Sequence, residues 1–127
     1  MKPRRRKRAV QAGLRIHVQD VLRGTVAEGL RVEVFRLGQA AEKRCSGTLG
    51  TNGTLVDPAL RRPGFGAGEY EVVFHLGEYY RGIELAATRA PVLESVTLRL
   101  GIADTKCAYE LPLRINPFGI CMRGFDP

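Results

Sequence analysis

Two stretches of the sequence decide the fold, Ile16-His17-Val18-Gln19-Asp20 and, ninety residues later, Tyr109-Glu110-Leu111-Pro112-Leu113-Arg114-Ile115. In both stretches apolar and polar residues alternate strictly, which is typical of a β-strand with one buried and one exposed face. The apolar sets are Leu14, Ile16 and Val18 in the first stretch and Tyr109, Leu111, Leu113 and Ile115 in the second. The opposite faces carry a histidine, a glutamine, a glutamate and an arginine. These residue types indicate more chemistry than a merely solvated face requires.

The rest of the chain also divides into short strands separated by turn residues, which predicts an all-β protein. The predicted strands are 14–20, 30–37, 45–49, 54–56, 69–76, 92–102, 106–115 and 119–123. The Asn52-Gly53 dipeptide predicts a hairpin between 45–49 and 54–56, and 38–43 and 58–68 are predicted loops. A short helix is expected at 78–82, with Tyr79 and Tyr80 as packing residues. We therefore predict a two-sheet antiparallel sandwich of about eight strands with one short helix.

The 127 residues are expected to form one domain, 14–127, behind a disordered basic leader, 1–13. Six of the seven net positive charges lie in that leader, at Lys2, Arg4, Arg5, Arg6, Lys7 and Arg8. We interpret it as a solubilising extension; binding of nucleic acid or an anionic surface is the alternative. The sequence contains neither a membrane-spanning apolar run nor a secretory signal pattern. The domain itself lacks features for reading nucleic-acid bases.

Three cysteines, Cys45, Cys107 and Cys121, form no CxxC pair and have no histidine at metal-binding spacing. We expect free thiols in a cytoplasmic protein that needs no metal and no cofactor. Cys107 has the parity of the inward set and is predicted to be buried. Cys121 is predicted to point to the functional face. His75 matches no motif, and we expect it to be solvated or to belong to the second sheet.

The motifs at both ends of the chain resemble the transthyretin family, and in particular its enzymatic branch, the 5-hydroxyisourate hydrolases of purine breakdown. The matching segments are His17-Val18-Gln19-Asp20, Tyr109-Glu110-Leu111-Pro112, Asn116-Pro117-Phe118-Gly119 and Arg123-Gly124. The resemblance implies a prealbumin-type sandwich whose first, penultimate and last strands lie side by side. It also implies a homotetramer, a dimer of dimers, with the outer face of that sheet lining a central channel.

The resemblance carries only part of the family's catalytic set to this chain. The first family histidine falls on His17, whereas the mid-chain arginine falls on Thr54 and the second histidine on Glu110. The terminal tetrapeptide aligns in two ways, which stay open. Without a gap, Cys121 and Arg123 replace small hydroxyl residues and Asp126 takes the place of the final serine; with a one-residue gap, Phe125 does.

From these residues we expect His17, Glu110 and Arg114 to be catalytic, and Gln19, Thr54, Cys121 and Arg123 to bind substrate. A histidine beside a carboxylate is a workable acid–base couple, and an arginine can orient a planar anion. We favour an enzyme that hydrolyses, cyclises or isomerises a small, anionic, polar heterocycle related to, but different from, 5-hydroxyisourate. The alternatives are a non-catalytic binder of a small ligand and a true 5-hydroxyisourate hydrolase.

Overall fold

The computed structural model describes residues 13–61, 64–83, 93–103 and 106–122. Nine strands occur in these ranges, together with one α-helix and a short 3-10 helix. The strands are β1 (Gly13–Asp20), β2 (Thr25–Val26), β3 (Arg31–Leu37), β4 (Glu42–Thr48), β5 (Thr54–Leu55), β6 (Gly68–Phe74), β7 (Val96–Ile102), β8 (Ala108–Asn116) and β9 (Gly119–Met122). The 3-10 helix covers Pro58–Leu60, and the α-helix, α1, covers Leu76–Gly82.

The strands form two sheets, which confirms the predicted sandwich. The first sheet has the order β2-β1-β8-β9, and β5 also pairs with β1. The second sheet has the order β4-β3-β6-β7. The first, penultimate and last strands are therefore neighbours, as the resemblance implied. One pair differs from the antiparallel pattern, because β1 and β8 run parallel to each other.

The core consists of the apolar faces that alternation predicted. Ile16 and Val18 of β1 and Val32 and Val34 of β3 are fully buried. The central strand of the second sheet contributes Tyr70, Val72 and Phe74. From β8 come Leu111, Leu113 and Ile115, while Tyr109 is half-buried at the margin. Period-two alternation was sufficient to identify these residues because each sheet has one face toward the other sheet.

The predicted hairpin at Asn52-Gly53 is wrong, although the turn itself is present. β4 pairs with β3 in the second sheet, whereas β5 pairs with β1 in the first. The turn therefore connects the two sheets. Gly53 has a φ of 75°, and a Cβ atom there would lie 2.7 Å from Cβ of Val26, so glycine is required by both conformation and space. A turn signal indicates a reversal but not which strands pair after it.

Other differences concern boundaries and one cysteine. β4 begins at Glu42, inside the predicted loop 38–43, and α1 begins at Leu76. The predicted loop 58–68 contains the 3-10 helix, whose first turn is capped because Asp57 Oδ1 accepts a hydrogen bond from the Ala59 N–H at 2.8 Å. Cys107 is exposed and not buried, because it precedes β8 and the parity of a strand does not extend beyond its end.

A buried carboxylate connects β1 to α1. Asp20 is fully buried, and its carboxylate accepts hydrogen bonds from the hydroxyl groups of Tyr79 at 2.9 Å and Tyr80 at 3.0 Å. It also accepts from the backbone N–H groups of Leu22 and Arg23, which closes the turn after β1. Burial, followed by hydrogen bonding to Asp20, raises the pKa of Tyr79 to about 12 and also raises that of Tyr80. Both tyrosines pack in the core as predicted, and their hydroxyl groups also bind the buried carboxylate of Asp20.

We expect Asp20→Ala to lower the free energy of unfolding by about 3 kcal/mol, because it leaves two buried hydroxyl donors without an acceptor. Tyr80→Phe removes a single donor and should cost only about 1.5 kcal/mol. Urea unfolding followed by circular dichroism, at one fixed protein concentration, measures both changes. A loss below about 0.5 kcal/mol in Asp20→Ala would contradict a stabilising role for this carboxylate.

Candidate functional site

The pairing of β1 with β8 determines which polar side chains become neighbours on the outer face of the first sheet. The Cα partners are Arg15 with Glu110, His17 with Pro112 and Gln19 with Arg114. Since partners in a ladder point to the same side of a sheet, the polar set predicted from alternation does converge on one face. Three of its members, Arg15, Glu110 and Arg114, are exposed, and His17 and Gln19 are half-buried.

His17 and Glu110 do not form the direct couple that the sequence suggested. Glu110 lies beside Arg15, one diagonal step from His17, and no hydrogen bond or ion pair joins the histidine to the glutamate in the described ranges. Diagonal neighbours in a sheet are about 7–8 Å apart between Cα atoms. A small planar molecule therefore has room to contact both groups at once.

Thr54 is the direct neighbour of His17 on its other side. It is the Cα partner of His17 in the antiparallel pair of β1 and β5, so both side chains point to the outer face. Thr54 is only 7% exposed, and its Oγ1 atom is buried without a hydrogen-bond partner in the described residues. Its backbone N–H is bound to Asn52 Oδ1. Buried hydroxyl groups are normally paired, so this one is an exception within the described residues.

A cleft of about 330 Å³ opens next to Thr54, where β1 and β8 begin. Its lining includes Arg15, Thr54, Asp57, Arg61 and Glu110. One wall is formed by the 3-10 helix, which approaches β1 so closely that a Cβ atom on residue 13 would overlap the backbone at Leu60; Gly13, with φ 142°, permits this approach. His17 is outside the lining and borders the cleft through Thr54.

The other predicted site residues lie toward the far end of the same face. Cys121 of β9 is the Cα partner of Arg114, so Gln19, Arg114 and Cys121 form one row across β1, β8 and β9. The Cys121 thiol is exposed and forms no disulfide. Arg123 lies outside the described residues. The described members of the predicted set thus share one face but are spread along it, with Glu110 and Thr54 at the cleft.

Charged side chains on the outer faces of the two sheets differ in whether they form ion pairs with their neighbours. On the second sheet, Glu33 binds Lys43 at 2.8 Å and His75 at 2.7 Å, and these contacts, that with Lys43 first, hold the pKa of Glu33 below its usual range. On the first sheet, Arg15 and Glu110 form no hydrogen bond or ion pair within the described part of the chain, although they are Cα partners. Arg15 and Glu110 are therefore available to a ligand, whereas Glu33 is already bound by its neighbours.

Sequence reasoning missed three contributors to the cleft. Arg15 was recognised as part of the polar face but received no role, although its parity with His17 was a usable signal. Arg61 comes from the predicted loop 58–68 and Asp57 from the position just before it, and nothing in their spacing indicates that this stretch returns to β1. His75 follows the end of β6 as the N-cap residue of α1 and contacts Glu33 of the second sheet, so it packs against that sheet and does not lie within it.

Two classes of site are not found in the described ranges. These residues contain no group of three or more His, Cys, Asp or Glu side chains placed to hold a metal ion. Within the same ranges, no helix has both the length and the apolar character needed to cross a bilayer.

Cys45 is the buried thiol, and burial raises its pKa to about 11, which makes it a poor nucleophile at neutral pH.

The fold and the face define a class: β-sandwich proteins with a row of polar and charged side chains on the outer face of one sheet. A family model described as the HIUase/Transthyretin family matches residues 14–124, and the chain belongs to that family. The resemblance noted from the sequence is confirmed.

Similar proteins of known name support the same assignment. The chain is 37% identical over 108 residues to 5-hydroxyisourate hydrolase 2 of Rhizobium meliloti, covering 84% of this chain and 89% of that protein. It is 35% identical over 107 residues to the 5-hydroxyisourate hydrolase of Deinococcus radiodurans, covering 84% and 89%. A crystal structure of (S)-allantoin synthase superimposes with a TM-score of 0.77 at 30% identity. That alignment covers 89% of this chain but 43% of the synthase chain.

Thr54 provides a prediction about stability that is independent of any substrate. Thr54→Val replaces the buried, unpaired hydroxyl with a methyl group of similar size, so we expect the free energy of unfolding to rise by about 1 kcal/mol. Thr97→Val, at an exposed position of β7, is the matched control and should change it by less than about 0.5 kcal/mol. Urea unfolding measures both. A loss of stability in Thr54→Val would show that the hydroxyl has a partner after all.

Proposed function

We propose that this protein is an acid–base enzyme of the HIUase/Transthyretin family that acts on a small polar heterocycle. The observation that carries the proposal is the convergence of His17, Thr54 and Glu110 on one face, beside a cleft of about 330 Å³. Ring-opening hydrolysis of a cyclic amide or urea is the reaction best suited to these groups; cyclisation and isomerisation require the same proton transfers.

In this proposal His17 moves the proton. Histidine is the side chain best able both to accept and to donate a proton near neutral pH. It takes a proton from the attacking water and returns it to the ring nitrogen when the carbon–nitrogen bond breaks. Glu110, one diagonal step away, accepts a hydrogen bond from a ring N–H and holds the substrate in place. The two groups thus act on different atoms of the substrate.

The far row of the face binds the remainder of the substrate. Arg114 can donate paired hydrogen bonds to a carbonyl or carboxylate group, and Gln19 can both donate and accept beside it. Cys121 borders this row, and we assign Arg123 to the same binding role. The set suits a flat molecule with polar atoms on several edges, such as a cyclic ureide.

The substrate is proposed to differ from 5-hydroxyisourate. Under the resemblance, Thr54 stands where the family has an arginine and Glu110 where it has a histidine. A carboxylate in place of an imidazole reverses the hydrogen-bonding preference of that position, because an ionised glutamate only accepts. Hydrolysis of 5-hydroxyisourate remains the second candidate, since two relatives with that name match over 84% of the chain.

The two histidines of the chain provide a matched test of the enzymatic proposal. We expect His17→Gln to reduce turnover about 100-fold or more, as removal of an acid–base group does. His75→Gln alters the other histidine, which precedes α1 and binds Glu33 of the second sheet, and should leave turnover unchanged. The measurement is ring opening, followed by ultraviolet absorbance, on a panel of cyclic ureas and imides that includes 5-hydroxyisourate.

The panel separates the candidates. If 5-hydroxyisourate decays above its spontaneous rate and faster than every other member of the panel, the second candidate is favoured. Faster turnover of another heterocycle favours the proposal. Saturable binding without turnover by any panel member would identify a non-catalytic binder. Equal activity of His17→Gln and the unaltered protein would remove His17 from the mechanism.

We further propose a homotetramer, a dimer of dimers, assembled over this face. Three exposed apolar side chains lie near the ends of β1 and β8: Val21 and Leu22 in one turn and Phe118 in the other, which are 50%, 54% and 65% exposed. The Val21 N–H donates to the Ile115 carbonyl at 3.0 Å, so the turn after β1 is held against β8, which ends just before Phe118. An apolar patch of this kind is typical of a protein–protein interface.

The double variant Leu22→Glu/Phe118→Glu should shift the protein from tetramer to a smaller species, because it places charges in the proposed interface. Sedimentation velocity at several protein concentrations measures the change. Val56→Glu, which alters another exposed apolar residue (66% exposed) near the cleft, is the control and should remain tetrameric. A monomeric unaltered protein would rule out this assembly.

A further inference from the structure

We propose that Arg15 anchors the substrate by its anionic edge and makes the cleft selective for anionic cyclic imides and ureides. The inference deepens the function proposed above and rests on it. Arg15 is absent both from the matching family motifs and from the site residues predicted from the sequence.

The position of Arg15 is the first part of the argument. It lies two residues before His17 on β1, so both side chains point to the outer face. It is exposed, and it lines the cleft together with Thr54 and Glu110. Within the described part of the chain its guanidinium has neither a hydrogen bond nor an ion pair. An arginine that is placed at a cleft and not bound to a neighbouring carboxylate is available to a ligand.

The chemistry of the cleft is the second part. A guanidinium presents several N–H donors in a planar fork, which matches the oxygen and nitrogen acceptors of a deprotonated imide. Thr54 also lines the cleft, but it is more than nine-tenths buried and its Oγ1 lies beneath the surface. Glu110, the Cα partner of Arg15, accepts only. The β1 side of the cleft therefore suits a ligand edge that carries hydrogen-bond acceptors, and the β8 side suits a ligand edge that carries N–H groups.

The remaining charges of the cleft lie on its other wall. Asp57 caps the 3-10 helix, and its Oδ1 is occupied by the Ala59 N–H. Arg61 also lines the cleft, and its backbone forms a bridge with Gly13. These two residues have opposite charges. Arg15 is thus the positive group on the wall that also carries the acid–base face.

Direct binding tests the proposal without requiring turnover. The probes are urate, a planar heterocyclic monoanion at neutral pH, and hypoxanthine, a neutral relative of similar size. Calorimetric titration of the full chain should show that Arg15→Gln weakens urate binding by about 10-fold or more, the effect of losing one charge-assisted contact. Hypoxanthine binding should change less than about 2-fold. Arg15→Lys keeps the charge without the fork and should be intermediate.

Arg99→Gln is the matched control, because Arg99 is an exposed arginine on β7 of the second sheet, bound to Glu69. It should bind both probes as the unaltered chain does, and circular dichroism should show that all variants are folded. For an anionic substrate, Arg15→Gln should raise KM and leave kcat nearly unchanged, because an anchor holds substrate and transition state alike.

The outcomes separate this inference from the function on which it rests. Unaltered urate affinity in Arg15→Gln, an equal loss in Arg99→Gln, or no urate binding by the unaltered chain would each overturn the role of Arg15. Loss of urate binding in Arg15→Gln supports it. If that loss occurs in a protein that turns over none of the heterocycles, the enzymatic proposal fails and the anchor remains.

Discussion

The parallel pairing of β1 with β8 is the constraint on which the rest of the structure depends. It runs without a shift from Gly13 opposite Ala108 to Asp20 opposite Ile115. Because side chains alternate along a strand, a slip of one residue would send the polar set into the core. Both ends of β1 resist such a slip: the Asp20 carboxylate is bound to α1, and Gly13 lies against the 3-10 helix.

This register also explains why the polar groups of the candidate site are spread along the face. Parallel pairing places Arg15, not His17, opposite Glu110. The histidine instead has Pro112 on one side and Thr54 on the other, and neither residue carries a charge that could form an ion pair with the imidazole. Arg15, His17 and Glu110 therefore form no hydrogen bond or ion pair with one another in the described ranges. On the second sheet, by contrast, Glu33 binds both Lys43 and His75.

The sequence predicted what depends on local periodicity and missed what depends on distant contacts. Alternation identified the two sheets, the core and the face that carries His17 and Glu110, because burial repeats every two residues. It did not reveal that β5 leaves β4 for the other sheet. Asp20 has the parity of the core set Leu14, Ile16 and Val18, so its burial could have been predicted. Its tyrosine partners could not, because they lie about sixty residues away.

Assembly and chemistry are linked through the same face. The cleft lies where β1 and β8 begin, and the apolar patch of Leu22 and Phe118 lies where they end, so a copy that covers the patch also covers the row of Gln19 and Arg114. In open water a guanidinium and a carboxylate 4 Å apart attract by only about 1 kcal/mol, and the attraction is about fourfold larger at the effective dielectric of a protein surface. Exclusion of water by a second copy would therefore strengthen every charged contact to the substrate. On this argument the proposed tetramer would give the proposed site an environment in which charged ligands bind more tightly than at an isolated subunit.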